Sequence, residues 1–168
     1  IPISKVDVLR IVDEQQIRFV SLWFTDITGI VKSILLPVRE LEDVLTNGIH
    51  FDGSSIEGFA RVAESDMLLV PDLATFTVLP WTQSENATAR LICTVHTPQG
   101  DPFIGDPRNA LLTALRSAEE MGFTFKTGME LEFFLFRTDE EGRPIITAPT
   151  DHAGYFDMPD ESAHTIRR

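Results

Sequence analysis

The apolar residues of this chain change their spacing several times within the first hundred positions, and that alternation restricts the fold. Residues 5–14 carry an apolar stripe at helical spacing behind Ser4, which can cap a helix. Residues 17–24 and 30–36 are rich in β-branched and aromatic side chains and flank the turn-forming segment 25–29. The pattern therefore predicts a helix followed by a β-hairpin.

The alternation continues along the chain. A short helix is predicted over residues 38–46, and Asn47 and Gly48 are predicted to end it. Residues 50–65 show neither the helical nor the strand spacing of apolar residues and are predicted to form a loop. Short strands are predicted at residues 67–70, 76–79 and 89–95. Hairpin, helix and further strands indicate the α+β class. Their order is similar to a β-grasp fold, and a ferredoxin-like fold is the alternative.

A boundary is predicted near residues 98–102, which are rich in proline and glycine. It divides the chain into an N-terminal domain, residues 1–100, and the beginning of a second domain, residues 101–168. The second domain opens with a helix, because Asp106 can cap it and Pro107 suits its first position.

One long strand is predicted over residues 123–136. Its period of two places Glu130 and Glu132 on one face with Phe134 and Phe136, and the other face is apolar throughout, with Met129, Leu131, Phe133 and Leu135. The strand is therefore predicted to be buried on both faces except for its paired acids. Adjacent buried carboxylates repel unless a cation neutralises them, and hard divalent ions such as Mg²⁺ or Mn²⁺ prefer oxygen ligands. A metal site is one interpretation, and an exposed acidic face on an edge strand is the alternative.

The loop at residues 51–59 is the second segment with candidate chemistry. Asp52 is followed by Gly53, Ser54 and Ser55, so a carboxylate and two hydroxyls lie close together in a tight turn. A carboxylate can attract a cation and accept its proton. The same residues also form ordinary turns.

Bulk properties exclude several function classes. The net charge of −12, with no basic patch, is unfavourable for binding nucleic acid or anionic lipid. No stretch approaches the ~18 apolar residues of a membrane span, and no export signal is recognised at the N-terminus. Cys93 is the single cysteine and is expected to be a packed thiol, which fits a reducing, cytoplasmic setting. The four histidines lack the spacing of a metal site.

Two of these segments resemble glutamine synthetases. The family carries a very similar E-x-E-F-F-L-F strand, here residues 130–136, and a loop like residues 51–59. Further matches in family order occur at residues 64–67, 71–73, 76–81, 106–108 and 154–157. The resemblance implies the N-terminal part of a synthetase, with a β-grasp domain and a truncated catalytic domain. The sequence departs from the family at Met129 and Leu131, where proline is common.

The resemblance also implies an activity and site residues. The parent enzyme would join ammonia to L-glutamate with ATP, through γ-glutamyl phosphate. Glu130 and Glu132 would bind separate divalent metals, Mg²⁺ or Mn²⁺, and Asp52 would help to bind and deprotonate ammonium in the neighbouring subunit's site. The family assembles as stacked rings, a dodecamer. No residue of this chain is assigned to ATP.

Residues 51–59, together with the segments 75–76 and 80–81, are most similar to the bacterial and archaeal type I enzymes of the glutamine-inhibited subgroup. In that subgroup the arginine corresponding to Arg61 takes part in subunit contacts and feedback inhibition. The alternative for Arg61 is a solvated surface residue.

The remaining metal, ATP and glutamate ligands of the family are expected beyond residue 168, so these residues alone are expected to be inactive as a ligase. Two alternatives remain open. One is a non-catalytic β-grasp module that binds or regulates synthetase rings, and the other is an unrelated metal-dependent enzyme with two carboxylates on a strand.

Overall fold

The computed structural model describes residues 3–55, 66–82, 84–132, 136–146, 154 and 156–158. Within them the chain forms three α-helices and one five-stranded sheet. The helices are α1 (Lys5–Glu14), α2 (Leu41–Asn47) and α3 (Pro107–Glu120). The strands are β1 (Phe19–Thr25), β2 (Val31–Pro37), β3 (Ile49–Asp52), β4 (Asp66–Val78) and β5 (Thr88–His96). The predicted α+β class is confirmed.

The sheet has the strand order β2-β1-β5-β4-β3. β1 and β5 run parallel at its centre, with Val20 opposite Ala89 and Leu22 opposite Leu91. All other neighbouring pairs are antiparallel. A parallel pair needs a long connection, and here that connection contains β2, α2, β3 and β4.

Helix α1 begins where the sequence predicts. The Ser4 hydroxyl accepts a hydrogen bond from the Asp7 amide at 3.1 Å, and the Ser4 amide donates to the Asp7 carboxylate at 3.0 Å. This reciprocal pair is a capping box, which satisfies two amides that a helix start leaves unpaired. Val8 and Val12 lie on the buried face of the helix.

The predicted hairpin is confirmed, and a buried carboxylate organises its turn. Asp26 is only 1% exposed, and its Oδ1 accepts hydrogen bonds from the Thr28 hydroxyl at 2.7 Å and from the amides of Thr28 and Ile30 at 2.9 Å each. Lys32 Nζ lies 3.2 Å from its Oδ2. The Thr28 hydroxyl, helped by these amides and by Lys32, holds the pKa of Asp26 down at about 2.

The predicted second helix is confirmed as α2, preceded by a 3-10 turn at Val38–Glu40. Gly48 ends it with φ of +71°. A Cβ atom at this position would lie 2.5 Å from the Leu69 carbonyl oxygen, so both the conformation and the close approach require glycine.

The core combines buried residues of α1, α2 and the sheet. Its members are Val8, Val12, Ile17, Val20, Leu22, Phe24, Leu36, Leu41, Val44, Met67, Leu69, Ala89, Leu91, Cys93, Val95 and Phe103. Cys93 is fully buried, and burial raises the pKa of its thiol to about 12. The expectation of a packed thiol is confirmed.

The predictions for one loop and for two strands were wrong in detail. The predicted loop begins too early, because residues 49–52 form β3, which pairs with β4 from Leu69 to Asp66. The predicted strands 67–70 and 76–79 belong to the single strand β4, whose register shifts between Asp72 and Thr77. Pairing with β5 on both sides of the shift, at Asp72 and at Thr77, keeps the strand continuous. Pro71 is tolerated there because it lies beyond the end of β3, where β4 is an edge strand.

The predicted strand at residues 123–136 was wrong over its described part. Residues 123–132 have no regular secondary structure, and Met129 and Leu131 are 86% and 81% exposed rather than buried. Residues 133–135 lie outside the described residues. A period of two indicates which side chains share a face, but a strand forms only where a neighbouring strand pairs with its backbone.

The chain separates into two compact units, residues 1–125 and 126–168. The helix predicted after Asp106 is confirmed as α3 and belongs to the first unit. In the second unit a turn at residues 139–142 is closed by a bridge between Thr138 and Pro144. The domain boundary predicted near residue 100 stays a prediction.

In the part of the chain that the structure describes, no helix combines the length and the apolar character that crossing a membrane requires.

We expect Asp26→Asn to make the free energy of unfolding depend less on pH under acidic conditions. The folded pKa of Asp26 lies below its ordinary value of 3.8, so the ionised carboxylate stabilises the fold above that value. This contribution is lost as the pH falls from about 4 through about 2. Urea unfolding between these pH values should show a smaller decline for D26N. Asp13→Asn, which removes an exposed carboxylate of α1, is the charge-matched control, and equal declines for D26N and the native chain would contradict the expectation.

We expect Gly48→Ala to destabilise the chain more than Gly100→Ala. Both glycines have positive φ, but no atom lies within 4 Å of a Cβ built on Gly100, whereas the Leu69 carbonyl obstructs one on Gly48. Strain alone should cost about 1 kcal/mol in G100A, and strain with the clash about 3 kcal/mol in G48A. Equilibrium denaturation measures both, and equal losses would show that the close approach is unimportant.

Candidate functional site

Asp52 is the last residue of β3, and its carboxylate is exposed. Its Oδ1 accepts hydrogen bonds from the Ser54 hydroxyl at 2.6 Å and from the Ser54 amide at 2.9 Å. The hydroxyl bond, followed by the amide bond, lowers the pKa of Asp52 below its ordinary value. The carboxylate is therefore ionised at neutral pH and oriented by its own turn.

A second carboxylate lies beside Asp52. Asp66, the first residue of β4, is the antiparallel partner of Asp52 in the register, and it is also exposed. Residues opposite each other in an antiparallel pair project from the same face, so two negative charges share this end of the sheet. The arrangement favours a cation here. Sequence reasoning missed Asp66 because strand register leaves no signal between residues 52 and 66.

The loop after Asp52 carries another predicted residue. Residues 56–65, which include Arg61, lie outside the described residues, so the regulatory role of Arg61 stays a prediction.

Glu130 and Glu132 belong to the second unit, whereas Asp52 belongs to the first. Both glutamates are exposed, on backbone without regular secondary structure. Their oxygens suit a hard divalent ion chemically, but two carboxylates are fewer ligands than the six or so that Mg²⁺ takes. Among the described residues no group of three or more His, Cys, Asp or Glu side chains could hold a metal ion.

Two histidines lie within the described residues, and one has structural contacts. His96 Nδ1 is 2.9 Å from the Gly100 carbonyl, and its Nε2 is 3.0 Å from the Thr94 hydroxyl. These contacts fix the turn after β5. His50 is exposed in β3.

Two further interactions have no local sequence signal. Arg108, in the first turn of α3, forms an ion pair with Asp72 of β4 at 2.6 Å. The Arg90 guanidinium lies 5.2 Å from the centre of the Trp23 ring, across β5 and β1. A cavity of about 470 Å³ also lies between α3 and the end of β5, lined in part by Thr94, Leu112 and Leu115.

Two segments of the chain match known sequence families. Residues 16–98 match the family described as "Glutamine synthetase, beta-Grasp domain". Residues 104–168 match "Glutamine synthetase, catalytic domain".

Curated relatives match over nearly the whole chain. The chain is 49% identical over 166 residues to a glutamine synthetase of Methanosarcina mazei and 48% identical over 167 residues to one of Staphylococcus epidermidis. Each match covers 98% of this chain and 37% of the relative. The chain thus spans little more than a third of the length of these relatives.

Solved structures are also similar. A GmaS/ADP complex has 33% identity and a TM-score of 0.62, covering 68% of this chain and 26% of GmaS. A Plasmodium falciparum glutamine synthetase has 18% identity and a TM-score of 0.65, covering 73% of this chain and 24% of its own, and that likeness shows the fold alone.

These matches confirm a β-grasp domain followed by the beginning of a catalytic domain. The two matched domains stand in the same order and leave few residues unmatched, and the relatives of similar sequence carry one name. This chain belongs to the glutamine synthetase family.

Proposed function

We propose that this chain is part of an ATP-dependent ligase that joins ammonia to L-glutamate through γ-glutamyl phosphate. The observation that carries the proposal is the near-complete match, at 49% identity, to a protein named glutamine synthetase. Because the chain spans only 37% of that relative, the activity belongs to the larger catalytic assembly. A single cysteine, buried in the core, suits the cytoplasm as the place of this activity.

In this proposal Asp52 binds ammonium at the site of a neighbouring subunit. Its position at the end of a strand leaves the carboxylate exposed, where a second copy can reach it. The carboxylate is charged at neutral pH and attracts NH₄⁺, and its lowered pKa makes it a weaker base. Asp52 therefore contributes more to holding ammonium than to removing its proton.

Glu130 and Glu132 would hold divalent metal, Mg²⁺ or Mn²⁺. Carboxylate oxygens are the donors that these ions prefer, and both glutamates are exposed and accessible. When bound, such ions neutralise charge on the phosphates of ATP and on the transferred group. Two carboxylates give incomplete coordination, so other parts of the assembly must supply the remaining ligands.

Assembly and regulation complete the proposal. Stacked rings, a dodecamer in the family, would bring Asp52 of one copy to the site of the next, so a single subunit would be incompetent. Arg61 would transmit feedback inhibition by glutamine, as in the type I subgroup that the loop resembles.

We expect this chain to bind Mn²⁺ only weakly, with a Kd on the order of 1 mM, because two carboxylates provide few ligands. Glu130→Gln and Glu132→Gln should each weaken binding further, as measured by titration with Mn²⁺ followed by electron paramagnetic resonance. Glu140→Gln removes an exposed glutamate of the same unit and is the matched control. Equal weakening by all three variants would indicate unspecific attraction to an acidic chain and would contradict the metal assignment.

The function is tested by a chimera in which this chain replaces the matching segment of the Methanosarcina mazei enzyme. We expect ATP-dependent glutamine formation from the chimera and none from residues 1–168 alone. Asp52→Asn keeps the shape of the side chain and removes its charge, so it should lower kcat/KM for ammonium by about 100-fold. Asp13→Asn is the control.

Two results would count against the proposal. An inactive but folded and assembled chimera would contradict the ligase assignment. It would favour the alternative of a non-catalytic module, for which ring binding without activity is expected. An active chimera in which D52N and D13N behave alike would remove Asp52 from the ammonium site.

A further inference from the structure

Helix α3 lies in one family domain and packs against the other. It falls within the segment 104–168 that matches the catalytic domain, whereas β4 and β5 fall within the segment 16–98 that matches the β-grasp domain. The structure nevertheless groups α3 with the sheet in one compact unit. Contacts between α3 and these strands therefore join the two family domains.

An ion pair makes the first of these contacts. Arg108 Nη2 donates to Asp72 Oδ2 at 2.6 Å, and the two side chains are only 23% and 39% exposed. The other carboxylate oxygen of Asp72 accepts from the Ala74 amide at 3.0 Å. Asp72 is thus fixed within β4 while it holds Arg108, and the partial burial strengthens the charged hydrogen bond.

A buried carboxylate makes the second contact. Asp106 is 1% exposed; its Oδ1 accepts from the Arg108 amide and its Oδ2 from the Val95 amide of β5, each at 2.9 Å. Asp106 therefore caps α3 and ties it to the sheet at once. We call Asp72, Asp106 and Arg108 the polar clamp.

Apolar packing contributes little to holding α3 against the sheet. None of its fourteen residues, all of them described, is buried, and Leu111 is 55% exposed. The cavity of about 470 Å³ lies along its inner side. The polar clamp therefore supplies charged and buried polar contacts that tie α3 to the sheet. The Nε of Arg108 is buried with no acceptor among the described residues, whereas its Nη2 is satisfied by Asp72.

The clamp acts on the strand that also supports Asp52. Asp66, at the start of β4, pairs with Asp52, and Asp72 lies six residues further along the same strand, about 20 Å at the rise of a β-strand. β4 therefore pairs with the candidate ammonium residue Asp52 at one end and carries Asp72 of the polar clamp near its middle.

We propose that Asp72 and Arg108 are positioning residues, whose ion pair couples the strand that supports Asp52 to the first helix of the catalytic-domain segment. The proposal rests on the proposed function, because the coupling matters for catalysis only if Asp52 serves the ammonium site. The ion pair touches no substrate and acts through α3 and β4.

The coupling itself is tested on this chain by hydrogen exchange. Arg108→Gln and Asp72→Asn should speed exchange of the α3 amides about tenfold relative to those of β1 and β2, and Arg108→Lys should restore part of the protection. Arg116→Gln, an exposed arginine of the same helix, is the matched control. Unchanged α3 exchange in both R108Q and D72N would overturn the proposal. If R108Q loses protection throughout the sheet, the exchange of the α3 amides in D72N decides whether the proposal holds, because D72N keeps the shape of the side chain.

The consequence for catalysis is tested in the chimera. R108Q and D72N should raise KM for ammonium about tenfold and change KM for ATP little. R108K should recover most of the difference, whereas R116Q should resemble the native sequence. Equal changes in both KM values, or a loss of kcat that follows thermal stability, would show a merely structural role and overturn the proposal. An inactive native chimera would count against the proposed function, and hydrogen exchange would still decide whether the clamp exists.

Discussion

The parallel pairing of β1 with β5 is the interaction on which the rest of this structure depends. Leu22 and Leu91 meet at the centre of the sheet, although 69 positions separate them in the sequence. On one side β2 pairs with β1, and on the other side β4 pairs with β5. β3 then pairs with β4 at the edge of the sheet. Since loop-closure entropy grows only slowly with length, burying the core face of the sheet beneath α1 and α2 can offset the cost of bringing such distant segments together.

Asp52 owes its position to that arrangement. It lies on an edge strand reached from the centre of the sheet through β5 and β4, so three successive pairings place it. The same route brings Asp66 to its side and holds α3 through Asp72. A charge change on β4 can therefore affect both the candidate ammonium residue and the first helix of the catalytic-domain segment.

Buried carboxylates occur where elements of this fold join. Asp26 organises the β1–β2 turn, and Asp106 joins α3 to β5. Each is 1% exposed and accepts amide hydrogen bonds, which offset the cost of removing a charge from water. These two acids are structural, whereas Asp52, Glu130 and Glu132 are exposed and available to ligands.

Local chemistry made much of the fold predictable from the sequence alone. Ser4, the turn after Asp26, Gly48 and the Asp106-Pro107 pair each act on backbone groups within a few residues, so the helix ends and the hairpin were predicted correctly. The sequence also determined the family, through short segments whose residue order is distinctive. Tertiary structure decided the rest. It made β3 a strand, kept β4 continuous and left residues 123–132 without a strand. It also placed Asp66 beside Asp52 and paired Arg108 with Asp72. These outcomes depend on which backbone and charged groups from distant positions find each other, and spacing along the chain carries no record of such pairings.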